Sequence, residues 1–218
     1  MVLSKRDILN KIKEGGLKFE PNIDKFQLQP NGVDLRLGWS FYSPKEWTVN
    51  DQGRTGLNVD YTEQASKDSM DLIKLQPGQY FELLPKEFVI ASTLEKISLE
   101  DDSLMAMLYA RSSLIRRGLL IFSGTIDSHY RGYMAIPIVN NTNTQTIRLY
   151  PGERACQLVF HLLSSPLTEE EEAQKHGLKK AKYQESAPYS LAAKSDGQEE
   201  IDLIRKGKLN ELKNNFKV

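Results

Sequence analysis

The chain holds a single cysteine, Cys156, and no apolar run that approaches the roughly 20 residues of a membrane span. One thiol can form no internal disulfide, and nothing in the composition calls for an oxidising compartment. The opening Met-Val-Leu-Ser-Lys-Arg-Asp lacks the apolar core of a secretion signal, so the cytoplasm is the expected location. Three histidines (His129, His161, His176) stand at no ligand spacing, and with one cysteine they cannot build a zinc cage. The chain contains no Gly-x-x-x-x-Gly-Lys-Ser/Thr loop, no Gly-x-Gly-x-x-Gly turn and no serine elbow, which sets aside the P-loop, dinucleotide and α/β-hydrolase chemistries. Net charge is also lacking: 29 basic side chains balance 29 acidic ones, the opposite of a general nucleic-acid binder.

What is present is enough for one well-cored domain and an appendage, with 218 residues, 39% hydrophobic and 27% charged. Ser4–Glu14 reads as an N-terminal helix: Ser4 caps it, Asp7 sits three residues on, Ile8 and Ile12 share a face, and Gly15-Gly16 stops it. Residues 17–70 read as irregular, with short strand candidates at Val33–Leu37 and Ser40–Tyr42. From Leu72, short runs of β-branched and aromatic residues recur between turn signals: Tyr80–Leu84, Phe88–Ser92, Leu104–Tyr109, Leu119–Ile126, Tyr133–Val139, Thr146–Tyr150 and Ala155–Leu162. That spacing predicts a mainly β fold, a distorted barrel or jelly roll with a few short helices. A helix is expected near 168–176, where Thr168 caps and Glu169–Glu172 suit the positive end of the dipole. The β domain is expected to span 1–190, and the charged residues 191–218 to form an appended helix or tail.

Arginine is concentrated in one stretch. Between Arg111 and Arg154 there are six arginines, no lysine, and two acids, Asp127 and Glu153. A guanidinium fork matches phosphate oxygens two at a time. Arg111-Ser112-Ser113 puts one such fork, two hydroxyls and consecutive N–H groups at a strand end, a turn that can ring an anion or be an ordinary turn. Arg116 lies five residues after Arg111. Gln157 is polar within an apolar strand, either a satisfied core amide or a phosphate donor. Asp127 stands at a strand-to-turn junction, where aspartate commonly shapes the turn, and Tyr130 follows three residues later. Asp34 is another polar intrusion in an apolar strand, placed to hold an arginine.

These segments together resemble the dUTPase and dCTP deaminase superfamily, in particular its deaminase-like branch with bifunctional members. The resemblance rests on Gln29–Gly38, Leu75-Gln76-Pro77-Gly78, Thr93-Leu94-Glu95, Ala110–Gly118, Gly124–Gly132, Arg154–Leu158 and Lys180–Ser190, in family order over roughly residues 1–190. It implies a homotrimer with active sites between subunits, and no nucleic-acid or membrane partner. It implies a deoxynucleoside triphosphate, dUTP or dCTP, bound by Arg111, Ser112, Ser113 and Gln157. Asp127 would orient the attacking water, Arg116 would serve the reaction, and Tyr130 would pack on the deoxyribose. Lys180 (or Lys182) and Gln184 would close on the phosphates from a segment at 179–190. Mg2+ would be held by phosphate oxygens and water, without a direct protein ligand.

The resemblance breaks at one position. Deaminases of this superfamily carry a glutamate ten residues beyond the aspartate that matches Asp127, and here that residue is Pro137. Proline has no titratable group and cannot move a proton. The reaction expected first from the sequence is therefore hydrolysis of dUTP to dUMP and pyrophosphate, with the base read by backbone groups of a 119–126 hairpin. Deamination of dCTP stands second, and a non-catalytic deoxynucleotide-binding regulator third.

Overall fold

The computed structural model describes residues 1–57, 59–60, 69–167, 183–191, 194 and 196–216. The expected helix near 168–176 and Lys180 lie outside the described residues. The chain divides into two compact units, Met1–Ser43 with Leu72–Leu191, and Pro44–Asp71 with Ala192–Val218.

In the first unit α1 (Lys5–Glu14) forms for the reasons its sequence gives. The Ser4 hydroxyl accepts the Asp7 N–H, the Asp7 carboxylate accepts the Ser4 N–H at 3.0 Å, and Gly15 ends the helix in a left-handed turn at φ 83°. Ile8 is the face that it buries. The strands follow as β1 (Leu17–Glu20), β2 (Leu28–Gln29) and β3 (Gly32–Pro44), then β4 (Trp47–Asn50), β5 (Gly53–Gly56) and β6 (Met70–Lys74). Next come β7 (Phe81–Leu83), β8 (Phe88–Leu99) and β9 (Leu104–Ala110), then the single turn α2 (Ser112–Ile115), β10 (Leu119–Ile121), β11 (Gly124–Ile126), β12 (Arg131–Asn140), β13 (Ile147–Leu149) and β14 (Arg154–Leu162).

The main sheet is antiparallel with the strand path β10-β12-β8-β3-β14-β9-β11; β1 adds to β8 and β2 to β3. β3 is central and nine of its thirteen residues are buried, on both of its faces. Leu35, Leu37, Val89, Ile97, Leu108, Ile136, Leu158 and Phe160 belong to its apolar core. At two places glycine lets strands approach. A Cβ on Gly32 would meet the Leu158 carbonyl oxygen at 2.5 Å, and one on Gly38 the Thr93 carbonyl oxygen at the same distance.

The expected mainly β architecture is the one found, with two revisions. Residues 17–70 are richer in strands than expected, because β1, β2, β4 and β5 are too short to show a period. The two candidates at Val33–Leu37 and Ser40–Tyr42 are one strand, β3, interrupted in register between Leu37 and Phe41. The 119–126 run is not a hairpin. Leu119–Ile121 pairs with β12 and Gly124–Ile126 pairs with β9, so only Phe122 and Ser123 join the two edges of the sheet. Two residues reach across about 10 Å, so the sheet curls until its edges nearly meet. Within the run Leu119 and Ile126 are buried in the core, while Leu120 and Phe122 are exposed.

The second unit contains the β4–β5 hairpin, in which Arg54 stacks over the Trp47 ring, and two short helices, α3 (Gln198–Arg205) and α4 (Leu209–Asn215). Ile201 and Leu203 are the buried residues of α3. Among the described residues no helix is long and apolar enough to cross a membrane.

Candidate active site

Asp34 is the hub of the arginine-rich side. It sits in β3 directly across from Gln157 in β14, and its side chain is 2% exposed. Arg111 Nε lies 2.9 Å and Arg154 Nη1 3.2 Å from Asp34 Oδ2, while Gln157 Nε2 donates to Asp34 Oδ1 at 3.1 Å. The absent side chain of Gly32 makes this possible, since a Cβ there would stand 3.1 Å from Gln157 Cγ. The Arg111 Nη1 also donates to the Arg154 carbonyl at 3.0 Å. A carboxylate that takes all these donors keeps the guanidinium of Arg111 in one orientation at the end of β9.

A second buried layer supports Asp34. Gln27 Nε2 donates both to the Asp34 carbonyl (2.9 Å) and to Glu95 Oε1 (2.7 Å), and the Arg36 N–H donates to Glu95 Oε2 at 3.1 Å. Burial pushes the Glu95 carboxyl above its ordinary value, against the pull of the Arg36 N–H and the Gln27 amide. Cys156, next along β14, is fully buried and burial raises its thiol far from the reactive range.

Ser112 and Ser113 open the α2 turn with exposed side chains, and Arg116 follows it, also exposed. No described residue pairs with the Arg116 guanidinium. Its neighbour Arg117, by contrast, is engaged by Glu153 and by the Arg148 carbonyl.

The carboxylate side is built differently. Asp127 follows the three-residue edge strand β11, its side chain exposed and unbonded to any described residue. Tyr130 N–H closes the turn onto the Asp127 carbonyl at 3.2 Å, and His129 within it adopts φ 60°. The neighbours anchor the turn: Ser128 Oγ donates to the Leu104 carbonyl at 2.7 Å, and His129 Nε2 lies 2.9 Å from Asp102 Oδ1. Tyr130 is half-buried, its hydroxyl donating to the Tyr133 carbonyl at 2.9 Å, and burial pushes its phenol up to about 12.

Gln184 is turned to this same loop. Its Nε2 donates to the His129 carbonyl at 2.6 Å and its Oε1 accepts the Arg131 N–H at 3.2 Å. Pro137 lies in β12 across from Ile90, its carbonyl accepting the Phe122 N–H.

The structure thus gathers Asp34, Arg111 and Gln157 in one cluster with Ser112, Ser113 and Arg116 adjoining, and gathers Asp127, Tyr130 and Gln184 in another. It does not bring the two clusters together within one chain. β11 pairs with β9 so that Ile126 faces Ala106, while Arg111 lies beyond the far end of β9. Five residues of extended strand separate them, about 17 Å. Sequence reasoning missed Arg154, Gln27 and Glu95 as parts of the first cluster. Arg154 was visible as part of the arginine excess, but its aim at Asp34 depends on the register shift between Arg154 and Cys156.

The chain is thus a curled antiparallel sheet with a carboxylate turn at one edge and an arginine–serine strand end about 17 Å along β9 from it. The model of the dCTP deaminase-like family matches residues 2–163, and the chain belongs to that family. It is 39% identical over 169 residues to the dUMP-forming dCTP deaminase of Dictyoglomus thermophilum, covering 76% of this chain and 82% of the relative. It is 32% identical over 211 residues to that of Methanosphaera stadtmanae, covering 95% and 99%. Among solved structures, the dCTP deaminase of Agrobacterium tumefaciens superposes with a TM-score of 0.57 at 21% identity, covering 80% of this chain and 52% of that one, a likeness of fold.

These relatives correct the reaction expected first. They are named as dUMP-forming dCTP deaminases, not as stand-alone dUTP diphosphatases. The dUTP expectation rested on Pro137, one side chain in a strand whose pairing is intact, and weighed it above the rest of the chain.

Proposed function

We propose that this protein is a dCTP deaminase of the dUMP-forming type. One water displaces the 4-amino group of cytosine as ammonia, and a second cleaves the α–β phosphoanhydride, so that dCTP and two waters give dUMP, ammonia and pyrophosphate. The observation that supports it is the Asp34 cluster. It fixes Arg111 beside the exposed Ser112, Ser113 and Arg116, which is a pre-aimed acceptor for a triphosphate. Asp127, exposed and unbonded to any described residue, is a carboxylate available to orient water. Among the described residues no group of three potential ligands could cage a metal. A magnesium ion carried in by phosphate oxygens and water would neutralise phosphate charge.

The division between the clusters supports a site shared by copies of the chain. Groups acting on neighbouring phosphates must stand within a few ångströms of them, and about 17 Å of strand separates Arg111 from the Asp127 turn. A homotrimer with a head-to-tail interface would set the Arg111 cluster of one copy against the Asp127 turn of the next. Exposed Tyr109, Ile115, Leu120 and Phe122 near these segments are apolar surface suited to such a contact.

Pro137 favours a second reading, a deoxynucleotide binder without turnover, because position 137 offers no proton carrier. Incubation with dCTP and Mg2+, with ammonia, pyrophosphate and dUMP measured together, separates the two. Tight dCTP binding with no ammonia would replace the first reading by the second. Arg111→Ala and Asp127→Asn should each abolish product formation. Co-assembled from both variants, a shared site recovers about one quarter of wild-type activity, the chance that a random neighbour pair supplies both intact halves. No recovery would place the whole site in one chain.

A further inference from the structure

Residues 183–191 form a strap that returns to the main sheet and lies against the Asp127 turn. Its first half is fastened to β12. Ser186 bridges to Gly132, the Glu185 N–H donates to the Arg131 carbonyl at 2.7 Å, and the Tyr133 N–H donates to the Ser186 carbonyl at 2.8 Å. The fit is close, since a Cβ on Gly132 would stand 2.7 Å from the Ser186 nitrogen and 3.0 Å from the Tyr130 hydroxyl. From this seat Gln184 reaches the His129 carbonyl. The Glu185 carboxylate takes Lys96 at 3.0 Å and Arg131 at 3.6 Å, ion pairs that are part-exposed and therefore weak.

The second half pairs with no described strand. After Ser186 the chain turns, the Ser190 N–H closing on the Ala187 carbonyl at 2.9 Å, and Pro188 has no N–H to offer. Here a side chain from the middle of the sheet takes over. Tyr42 stands near the end of β3, across from Ile90 of β8, and is 5% exposed. Its hydroxyl donates to the Pro188 carbonyl at 2.9 Å, and the Leu191 N–H bonds to the same phenol oxygen. Burial pushes this phenol up, so the hydroxyl stays a donor. The Leu191 side chain is buried beside it. One hydroxyl thus clasps residues 188 and 191, at the end of the strap that β12 does not hold.

We infer that Tyr42 is a positioning residue for nucleotide binding: its hydroxyl latches the far end of the 183–191 strap, and the latched strap completes the wall that Gln184, Tyr130 and the Asp127 turn share. The inference rests on the proposed reading of that wall as half of the nucleotide site. Without the latch the strap is still tied at Ser186 and by exposed ion pairs, and it can lift from its far end. A nucleotide that needs the strap seated must then bind and seat it together. This lowers affinity by the fraction of time that the strap is up, and leaves the chemistry of the bound complex alone.

Tyr42→Phe in the full-length protein is the test, because it removes one hydroxyl and keeps the buried ring. Amide hydrogen exchange at Ser190 and Leu191 should rise about fivefold, the worth of one hydrogen bond, while β8 and β9 stay protected. Kd for a non-hydrolysable dCTP analogue with Mg2+ should rise by a similar factor, and KM for dCTP with it, at a kcat within twofold of wild type. Unchanged exchange at the two residues would overturn the latch. Faster exchange at an unchanged Kd would overturn its link to the nucleotide, and so would a fall in kcat at an unchanged KM. Leu191→Ala loosens the same end by lost burial and should repeat the pattern of raised Kd and steady kcat; wild-type affinity in that variant would count against the inference. If the wild-type protein releases no ammonia from dCTP, the deaminase reading falls, and the Kd of Tyr42→Phe for the analogue still decides the role of the latch.

Discussion

The Arg111 cluster and the Asp127 turn are made of different material. The first is set on β3, β9 and β14, which lie side by side within the main sheet, and its carboxylate hub is buried with a second buried layer, Gln27 and Glu95, behind it. The second sits at the end of a three-residue edge strand, in a turn with a strained residue, held by single contacts from Ser128, His129 and Gln184. Groups that only bind charge can be aimed by the interior of the sheet. A carboxylate proposed to orient a water needs an open edge, and this one gains its order from side chains brought in from elsewhere in the chain.

The widest break in this comparison comes from Asp34→Ala. It removes the partner of two guanidiniums and of the Gln157 amide, from a side chain that is 2% exposed. Loss of one member of a buried ion pair costs about 3 kcal/mol, seen in denaturant unfolding. Arg111 then keeps only its bond to the Arg154 carbonyl, so affinity for a non-hydrolysable dCTP analogue should fall tenfold or more. Unchanged affinity would show that the cluster is a support of the sheet and not of the ligand.

How much of this the sequence disclosed follows the same division. Helix α1 was legible because its cap, period and stop are local. The β class was legible because strand runs alternate with turn residues. Asp34 was legible as the holder of an arginine because a carboxylate inside an apolar strand needs a donor. The sharing of Asp34 among Arg111, Arg154 and Gln157 was not, since it depends on strand register across more than a hundred residues. The hairpin expected at 119–126 failed for a related reason. An apolar run does not say which partner each half pairs with, and here the halves go to opposite edges. The reaction was misjudged because a missing side chain at Pro137 is local and conspicuous, whereas the likeness of the whole chain to deaminases is distributed.

Ser128→Ala sharpens the comparison on the carboxylate side. The Ser128 hydroxyl is buried and donates to the Leu104 carbonyl at 2.7 Å, tying the turn to the start of β9. Its loss leaves that carbonyl without this donor and costs about 1–2 kcal/mol. The effect should be local: kcat falls several-fold, while affinity for the nucleotide analogue stays within twofold, because the Asp34 cluster is untouched. Equal losses in kcat and affinity would mean that the two regions are coupled through β9 and cannot be treated as separate parts.

The smallest effect is expected behind the arginine cluster, at Glu95, and it carries a pH signature. Burial raises the Glu95 carboxyl above the ordinary 4.5, so the folded chain holds this proton more tightly than the unfolded chain. The stability gained from the proton is complete below the unfolded value and is lost as pH rises through the folded one. Glu95→Gln removes that dependence, but places an N–H2 where one of the two donors, Gln27 Nε2 or the Arg36 N–H, now finds an oxygen. The variant should therefore be less stable than wild type by about 1 kcal/mol near pH 4, with the gap narrowing as pH rises to 8, in unfolding curves recorded across that range. A gap that widens with pH would mean that Glu95 is ionised in the fold, its two donors outweighing burial. The layer behind Asp34 would then bring a second negative charge to the arginine cluster, making it still more firmly pre-set than the Asp127 turn.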